Sequence, residues 1–140
     1  MTGYNTEIKI QLDWSEMDLF GHINNVAYFK YIQAARVNYC ELAGINTYRP
    51  EQKLSFAVAA SSCIFKKPLY YPGSIVVKTK VEWIKNSSLQ LNHVILNQSG
   101  EVAAEGEDVI VLFDYDQNTK ANVPSNVREK IVKIENRTFN

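Results

Sequence analysis

The chain has 140 residues, 46% of them hydrophobic and 21% charged, with fifteen Lys plus Arg balancing fifteen Asp plus Glu. A chain of this length builds one real core and is too short for two ordinary domains. The absence of net charge argues against a protein built mainly to hold nucleic acid or an anionic membrane, because attraction to phosphate needs surplus cations.

The opening MTGYNTEIKI has no basic cap followed by an apolar run, and no stretch approaches the roughly 20 apolar residues that span a bilayer. A soluble cytoplasmic protein is expected. Two isolated cysteines, Cys40 and Cys63, do not make a disulfide framework and read as small buried thiols.

Residues 4–14 alternate, with Ile8, Ile10 and Leu12 on one face and Lys9, Gln11 and Asp13 on the other, which predicts a half-buried first strand. The segment 15–25 breaks the alternation, and Asn24 is placed to cap a helix. In that helix Tyr28, Tyr31, Ile32, Ala35, Tyr39 and Leu42 share one face at the 3.6-residue period, a buried stripe about five turns long. Gly44 is the stop signal, and residues 45–53 read as a surface loop.

From Leu54 the period becomes two. LSFAVAASSCIF is a strand of small residues, suited to close approach and to pairing across a dimer. SIVVKTKVEWIK and SLQLNHVILNQ alternate cleanly, and Gln98-Ser99-Gly100-Glu101 is a hairpin signal. Five consecutive apolar residues, Val109 to Phe113, predict a strand covered on both sides. Pro124-Ser125 opens a short amphipathic helix with Val127, Ile131 and Ile134 inward. The expected fold is α+β: a single domain over residues 1–135, a curved antiparallel sheet of about five strands wrapped around one long helix, and a frayed tail at 136–140.

The turn DLFGHINN carries the chemistry. A helix start presents unpaired N–H groups and about half a positive charge, a setting for a carbonyl oxygen that becomes an oxyanion. Gly21 lets backbone approach a ligand. Asp18 can serve as general base for water or as nucleophile, with His22 or Asn25 orienting water or leaving group. Asp, Gly and Asn are also ordinary turn residues, so spacing alone leaves a structural turn as the alternative.

Other residues carry less. His93 lies among Leu89, Leu91 and Ile95 as a structural histidine, and two distant histidines with two isolated cysteines form no metal site. Ser87 and Ser88 lack a nucleophile-elbow context. Lys66, Lys67 and Lys85 are candidates for binding phosphates. Glu105, Glu107 and Asp108 read as solvent-facing. Tyr28 belongs to the core stripe and can also line a ligand surface.

The pattern D-x-x-G-H-I-N-N-x-x-Y-x-x-Y-x-x-x-A-R, carried by Asp18, Gly21, His22, Ile23, Asn24, Asn25, Tyr28, Tyr31, Ala35 and Arg36, resembles the hotdog-fold thioesterases of the 4-hydroxybenzoyl-CoA thioesterase-like family. That resemblance implies a hotdog fold, a homodimer or homotetramer, and hydrolysis of an acyl-CoA at the subunit interface, with Asp18 catalytic. The amides near Gly21 and His22 would polarise the carbonyl. CoA is part of the substrate, and no metal or redox cofactor is implied. The alternatives are an acyl-carrier-protein thioesterase and a non-hydrolytic acyl-thioester-binding module. Asn25 stands where some bacterial acyl-CoA members carry histidine. Phe20 and Ile64 stand where plant-type carrier-protein members carry an asparagine and a second carboxylate.

Overall fold

A computed structural model describes residues 3–139. The strands are β1 (Thr6–Gln11), β2 (Leu54–Phe65), β3 (Ser74–Ile84), β4 (Ser88–Leu96), β5 (Val102–Asp114) and a two-residue β6 (Thr119–Lys120), and the helices are α1 (Asn25–Ala43) and α2 (Ser125–Glu135). The strands form one antiparallel sheet in the order β1-β3-β4-β5-β2, with β6 on β5. This is the expected α+β arrangement. Bulges at Val58/Ala60, Val81/Trp83 and Ile95/Leu96 bend the strands around the helix.

α1 forms because no Pro or Gly interrupts its 19 residues and both ends are closed. Asn24 Oδ1 accepts from the Val26 amide at 2.9 Å. At the other end Gly44 takes φ +82° and donates to the Cys40 and Glu41 carbonyls. The helix lies against the sheet in two stretches of core. Tyr28, Tyr31, Ile32 and Ala35 meet Ile75, Val77 and Ile95. Tyr39, Cys40 and Ala43 meet Val81, Leu89 and Ile110 together with Val127 and Ile131 of α2. Contact is tightest at Gly106, where an added Cβ would lie 2.6 Å from Ile32 Cδ1.

Several expectations need correcting. Leu42 is 51% exposed. The buried face drifts around α1 along its length, and in the last turns Tyr39, Cys40 and Ala43 take the inward positions. Cys40 is buried, and that burial pushes its thiol up to about 12, but Cys63 is only half-buried because β2 pairs on one side only, with β5, and is the sheet's edge. In β5, Ile110 and Leu112 are buried while Val109, Val111 and Phe113 are half-buried, so only one face of that strand is fully covered. Beyond α2, residues 137 and 139 make contacts with the rest of the chain. Arg137 Nη2 donates to the Glu82 carbonyl at 2.5 Å, and Phe139 packs against the second core cluster. Residue 140 lies outside the described residues.

Candidate active site

The turn before α1 is built from backbone bonds that the sequence DLFGHINN makes with itself and with the β2–β3 connection. The Asp18 amide donates to the His22 carbonyl at 2.7 Å, and the Gly21 amide donates to the Asp18 carbonyl at 3.2 Å. The loop is then tied outward: Tyr71 N donates to Gly21 O at 2.9 Å and Ile23 N to Leu69 O at 2.8 Å. Gly21 sits at φ +83°, and an added Cβ would meet only Tyr71 O at 3.7 Å. The glycine therefore answers a left-handed backbone rather than a crowded approach.

Asp18 Oδ1 accepts two amides, from Phe20 at 2.9 Å and from His22 at 3.0 Å. Its Oδ2 faces His22 Nδ1 at 3.6 Å, with both side chains about half exposed. The Gly21 and His22 amides are thus already engaged, and neither is free to polarise a carbonyl. Among the described residues no acceptor pairs with the backbone N–H of Asn25, the first residue of α1. That N–H is the one the helix's positive end presents. At the helix start the amide without a partner is thus that of Asn25 rather than those of Gly21 and His22.

Beside this turn lies an open cleft of about 370 Å³ lined by His22, Asn25, Tyr28, Phe65, Lys66 and Lys67. Tyr28 is fixed in its wall: its hydroxyl accepts from Leu69 N at 3.1 Å and donates to Lys67 O at 3.3 Å. Burial pushes this phenol up. The Phe65 ring stands edge-on to Tyr28 at 5.0 Å, and the His22 ring edge-on to Tyr70 at 4.8 Å. Asp18 adjoins the cleft through His22.

A profile of the Thioesterase-like superfamily matches residues 12–131. The chain belongs to this superfamily. Among curated relatives it is 27% identical to the uncharacterized protein YsmA of Bacillus subtilis, over 79% of this chain and 74% of that one. It is 26% identical to the acyl-acyl carrier protein thioesterase ATL3 of Arabidopsis thaliana over 90% of this chain and 67% of the relative. It is 21% identical to the long-chain acyl-CoA thioesterase FadM of Escherichia coli, over 92% and 97%. Among solved structures it is similar to a thioesterase of Thermus thermophilus complexed with coenzyme A and Zn, with TM-score 0.84, 25% identity, and 99% and 100% of the two chains covered. A thioesterase-superfamily protein from Jannaschia superposes at TM-score 0.90 with 17% identity, over 100% of this chain and 89% of that one, a likeness of fold. The protein is a thioester hydrolase of the hotdog fold.

The remaining residues of this thioesterase divide by distance from the turn. Lys66 and Lys67 reach the cleft, but Lys66 Nζ pairs with Glu105 Oε1 at 2.9 Å and Lys67 Nζ pairs with Glu101. The hydrogen bond from Lys67 in turn holds the Glu101 carboxyl below its usual range. Lys85 is at the far end of β3 from the turn, its ammonium 4.6 Å over the Trp83 ring. It is not brought to the cleft within one chain. Ile64 is 63% exposed on the edge strand. Among the described residues no three His, Cys, Asp or Glu side chains gather as a metal-holding group, and no helix is long and apolar enough to cross a membrane.

Two features were not legible beforehand. Glu16 ties the turn to the helix: Oε2 pairs with Lys30 Nζ at 2.9 Å, Oε1 accepts from the Tyr31 hydroxyl at 2.7 Å, and its carbonyl accepts from Asn24 N at 2.7 Å. Burial alone would raise this carboxyl, but the bonds from Lys30 and Tyr31 outweigh that and hold it low. Asp108, read as solvent-facing, is fully buried. It is surrounded by Arg36 Nη1 at 2.9 Å, Ser61 Oγ at 2.7 Å and His93 Nε2 at 2.8 Å. His93 is buried as a structural histidine, with its Nδ1 2.8 Å from Thr79 Oγ1.

Proposed function

We propose that the protein hydrolyses the thioester of an acyl-CoA to the free acid and CoA. The reading is carried by one arrangement: a carboxylate oxygen, Asp18 Oδ2, with no amide donor of its own, on the same turn that leads to the unpaired N–H of Asn25. The carbonyl oxygen sits at the Asn25 N–H, where the positive end of α1 stabilises the charge that develops on it. Asp18 Oδ2 takes a proton from water as the water oxygen bonds to the carbonyl carbon. The tetrahedral intermediate then collapses, the C–S bond breaks, and the proton passes to the departing sulfur. Attack by Asp18 itself, through an anhydride that water then opens, uses the same geometry. The thioester is already an activated acyl group, so neither route calls on a metal or redox group.

The similarity to the coenzyme A-complexed thioesterase of Thermus thermophilus over 99% of the chain supports CoA as the carrier. A second reading, acyl-carrier protein as the carrier, is favoured by the similarity to ATL3. The test is a panel of acyl-CoAs from acetyl to palmitoyl plus aromatic members, with free thiol measured and Asp18→Asn run alongside. Turnover is expected to fall about a hundredfold to ten-thousandfold in the variant. The unfolding midpoint should change little, because an Asn oxygen still accepts the Phe20 and His22 amides. A folded Asp18→Asn protein with full activity overturns the assignment. Turnover confined to the carrier-protein form of the same acyl group selects the second reading.

A further inference from the structure

Residues 16–24 form a narrow two-armed turn leading into α1. Its arms are joined by Asn24 N to Glu16 O at 2.7 Å, by an antiparallel bridge between Met17 and Ile23, and by Asp18 N to His22 O at 2.7 Å. The inner arm, residues 21–24, is also held from its far side: Gly21 O and Ile23 N bond to the β2–β3 connection, and His22 bridges Tyr70. The outer arm, residues 16–18, carries Asp18, and among the described residues no second strand flanks it.

Apolar packing within the chain does not hold that outer arm. Trp14, Met17, Leu19 and Phe20 are all exposed, and an apolar side chain stabilises only through the area it removes from water. A cleft of about 260 Å³ lies between the arm and the helix start, lined by Glu16 and Met17 on one side and by Val26, Ala27 and Lys30 on the other. A carboxylate crosses it. The Glu16 side chain is 11% exposed, with Oε1 accepting from the Tyr31 hydroxyl at 2.7 Å and Oε2 from Lys30 Nζ at 2.9 Å. Tyr31 is buried in the core, so its bond ties the arm to the body of the helix. Lys30 is exposed and its pairing is screened by solvent, which makes it the weaker of the two ties.

The two groups that the reaction must keep in register stand on either side of this tie. Asp18 is two residues beyond Glu16 on the outer arm, and Asn25, with the unpaired N–H, follows Asn24 at the base of the inner arm. One backbone bond at the base leaves the outer arm free to pivot; a second anchor at Tyr31 removes that freedom.

We infer that Glu16 is a positioning residue for the hydrolysis: through Tyr31 it fixes the outer arm on α1 and so holds Asp18 Oδ2 in register with the Asn25 N–H. This rests on the acyl-CoA reading above. Glu16 touches no reacting atom, and its loss acts on turnover rather than on the hold on substrate.

The test compares Glu16→Ala, Glu16→Gln and Tyr31→Phe with the wild type, each assayed well below its unfolding midpoint. A misplacement of about 1 Å can cost about a hundredfold, so Glu16→Ala is expected to lower kcat about tenfold to a hundredfold. KM for acyl-CoA should change less than about twofold, the pattern of an interaction that serves the transition state. Tyr31→Phe deletes the other end of the same bond and should reproduce the loss in kcat. Glu16→Gln keeps an acceptor oxygen for the Tyr31 hydroxyl and should recover kcat to within about threefold of the wild type. A merely stabilising role predicts a lower unfolding midpoint with wild-type kcat, and that result in Glu16→Ala or Tyr31→Phe overturns the inference. So does a rise in KM at unchanged kcat, or a Gln variant as slow as the Ala variant. Should Glu16→Ala not fold, Tyr31→Phe and Glu16→Gln carry the same comparison. If Asp18→Asn is inactive while the Glu16 variants are unimpaired, the positioning role falls and the acyl-CoA reading stands. If the wild type hydrolyses no thioester, hydrogen exchange at the Asp18 amide decides separately: exchange about tenfold faster in Glu16→Ala or Tyr31→Phe supports the tie, and unchanged exchange refutes it.

Discussion

Arg36 Nη1 reaches across from the fourth turn of α1 to Asp108 Oδ2 at 2.9 Å, and Asp108 itself is fully buried. One ion pair thus joins the central helix to β5, and through Ser61 and His93 to β2 and β4. Removing one member leaves the other charge buried and uncompensated. Asp108→Ala should therefore destabilise the fold by about 3–5 kcal/mol in urea unfolding. A loss under about 1 kcal/mol would mean that Arg36 finds water or another acceptor.

The same carboxylate sets a pH dependence. Burial raises Asp108, but the hydrogen bond and charge of His93, with the bonds from Ser61 and Arg36, outweigh it and hold the carboxyl below its ordinary value. A group depressed in the folded state contributes its full stability above the unfolded value of about 3.9 and loses it as pH falls through the folded value. Unfolding midpoints followed downward from pH 5 should fall less steeply in Asp108→Asn than in the wild type. Parallel slopes would assign the acid sensitivity to other carboxylates.

Gly106 admits the helix. A methyl at that position would lie 2.6 Å from Ile32 Cδ1 and 3.3 Å from the Ser62 carbonyl, and Ile32 is fully buried. Gly106→Ala should cost about 1–3 kcal/mol by overpacking. Ile32→Val in the same chain should recover part of it, and the double-mutant cycle measures the coupling.

Tyr28→Phe deletes the hydroxyl that accepts from the Leu69 amide and donates to the Lys67 carbonyl. Leaving a buried amide unpaired costs about 1–3 kcal/mol. Because the connection it anchors also carries Lys67, a fall in kcat/KM should accompany the lost stability. Unchanged kinetics in a destabilised variant would separate the anchor from the site.

Asn24→Ala removes the side-chain cap on Val26 N and should cost about 1 kcal/mol. The helix start would fray next to the Asn25 N–H, so kcat should fall more than KM rises. An increase in KM alone would place the amide's role in binding rather than in the reaction.

The helix was legible because its signals are local. Asn24 and Gly44 mark the ends, and an uninterrupted apolar stripe fills the interval. Its drift was not legible, since the surface that α1 covers changes along the sheet, from Ile75 and Val77 to α2 at the last turns. Asp108 was misread because three acidic residues within four positions look like a solvated run. Period-two counting from Ala104 through Gly106 to Ile110 puts Asp108 on the apolar face. The 97–101 hairpin alone would set Leu91 against Glu107, and the bulge at Ile95/Leu96 shifts the register by one to set Leu91 against Asp108 and His93 against Gly106. The face of Asp108 was therefore open to period counting, but its pairing with His93 was not, because the bulge that aligns them leaves no mark in the sequence pattern. Lys85 was grouped with Lys66 and Lys67 by charge alone, and the length of β3 separates them.

The two oxygens of Asp18 are not equivalent. Oδ1 is held by the Phe20 and His22 amides, which keeps the carboxylate from rotating and leaves Oδ2 in one direction. The orientational entropy of the reacting group is thereby surrendered once, as the chain folds, and is not charged again at each encounter with substrate.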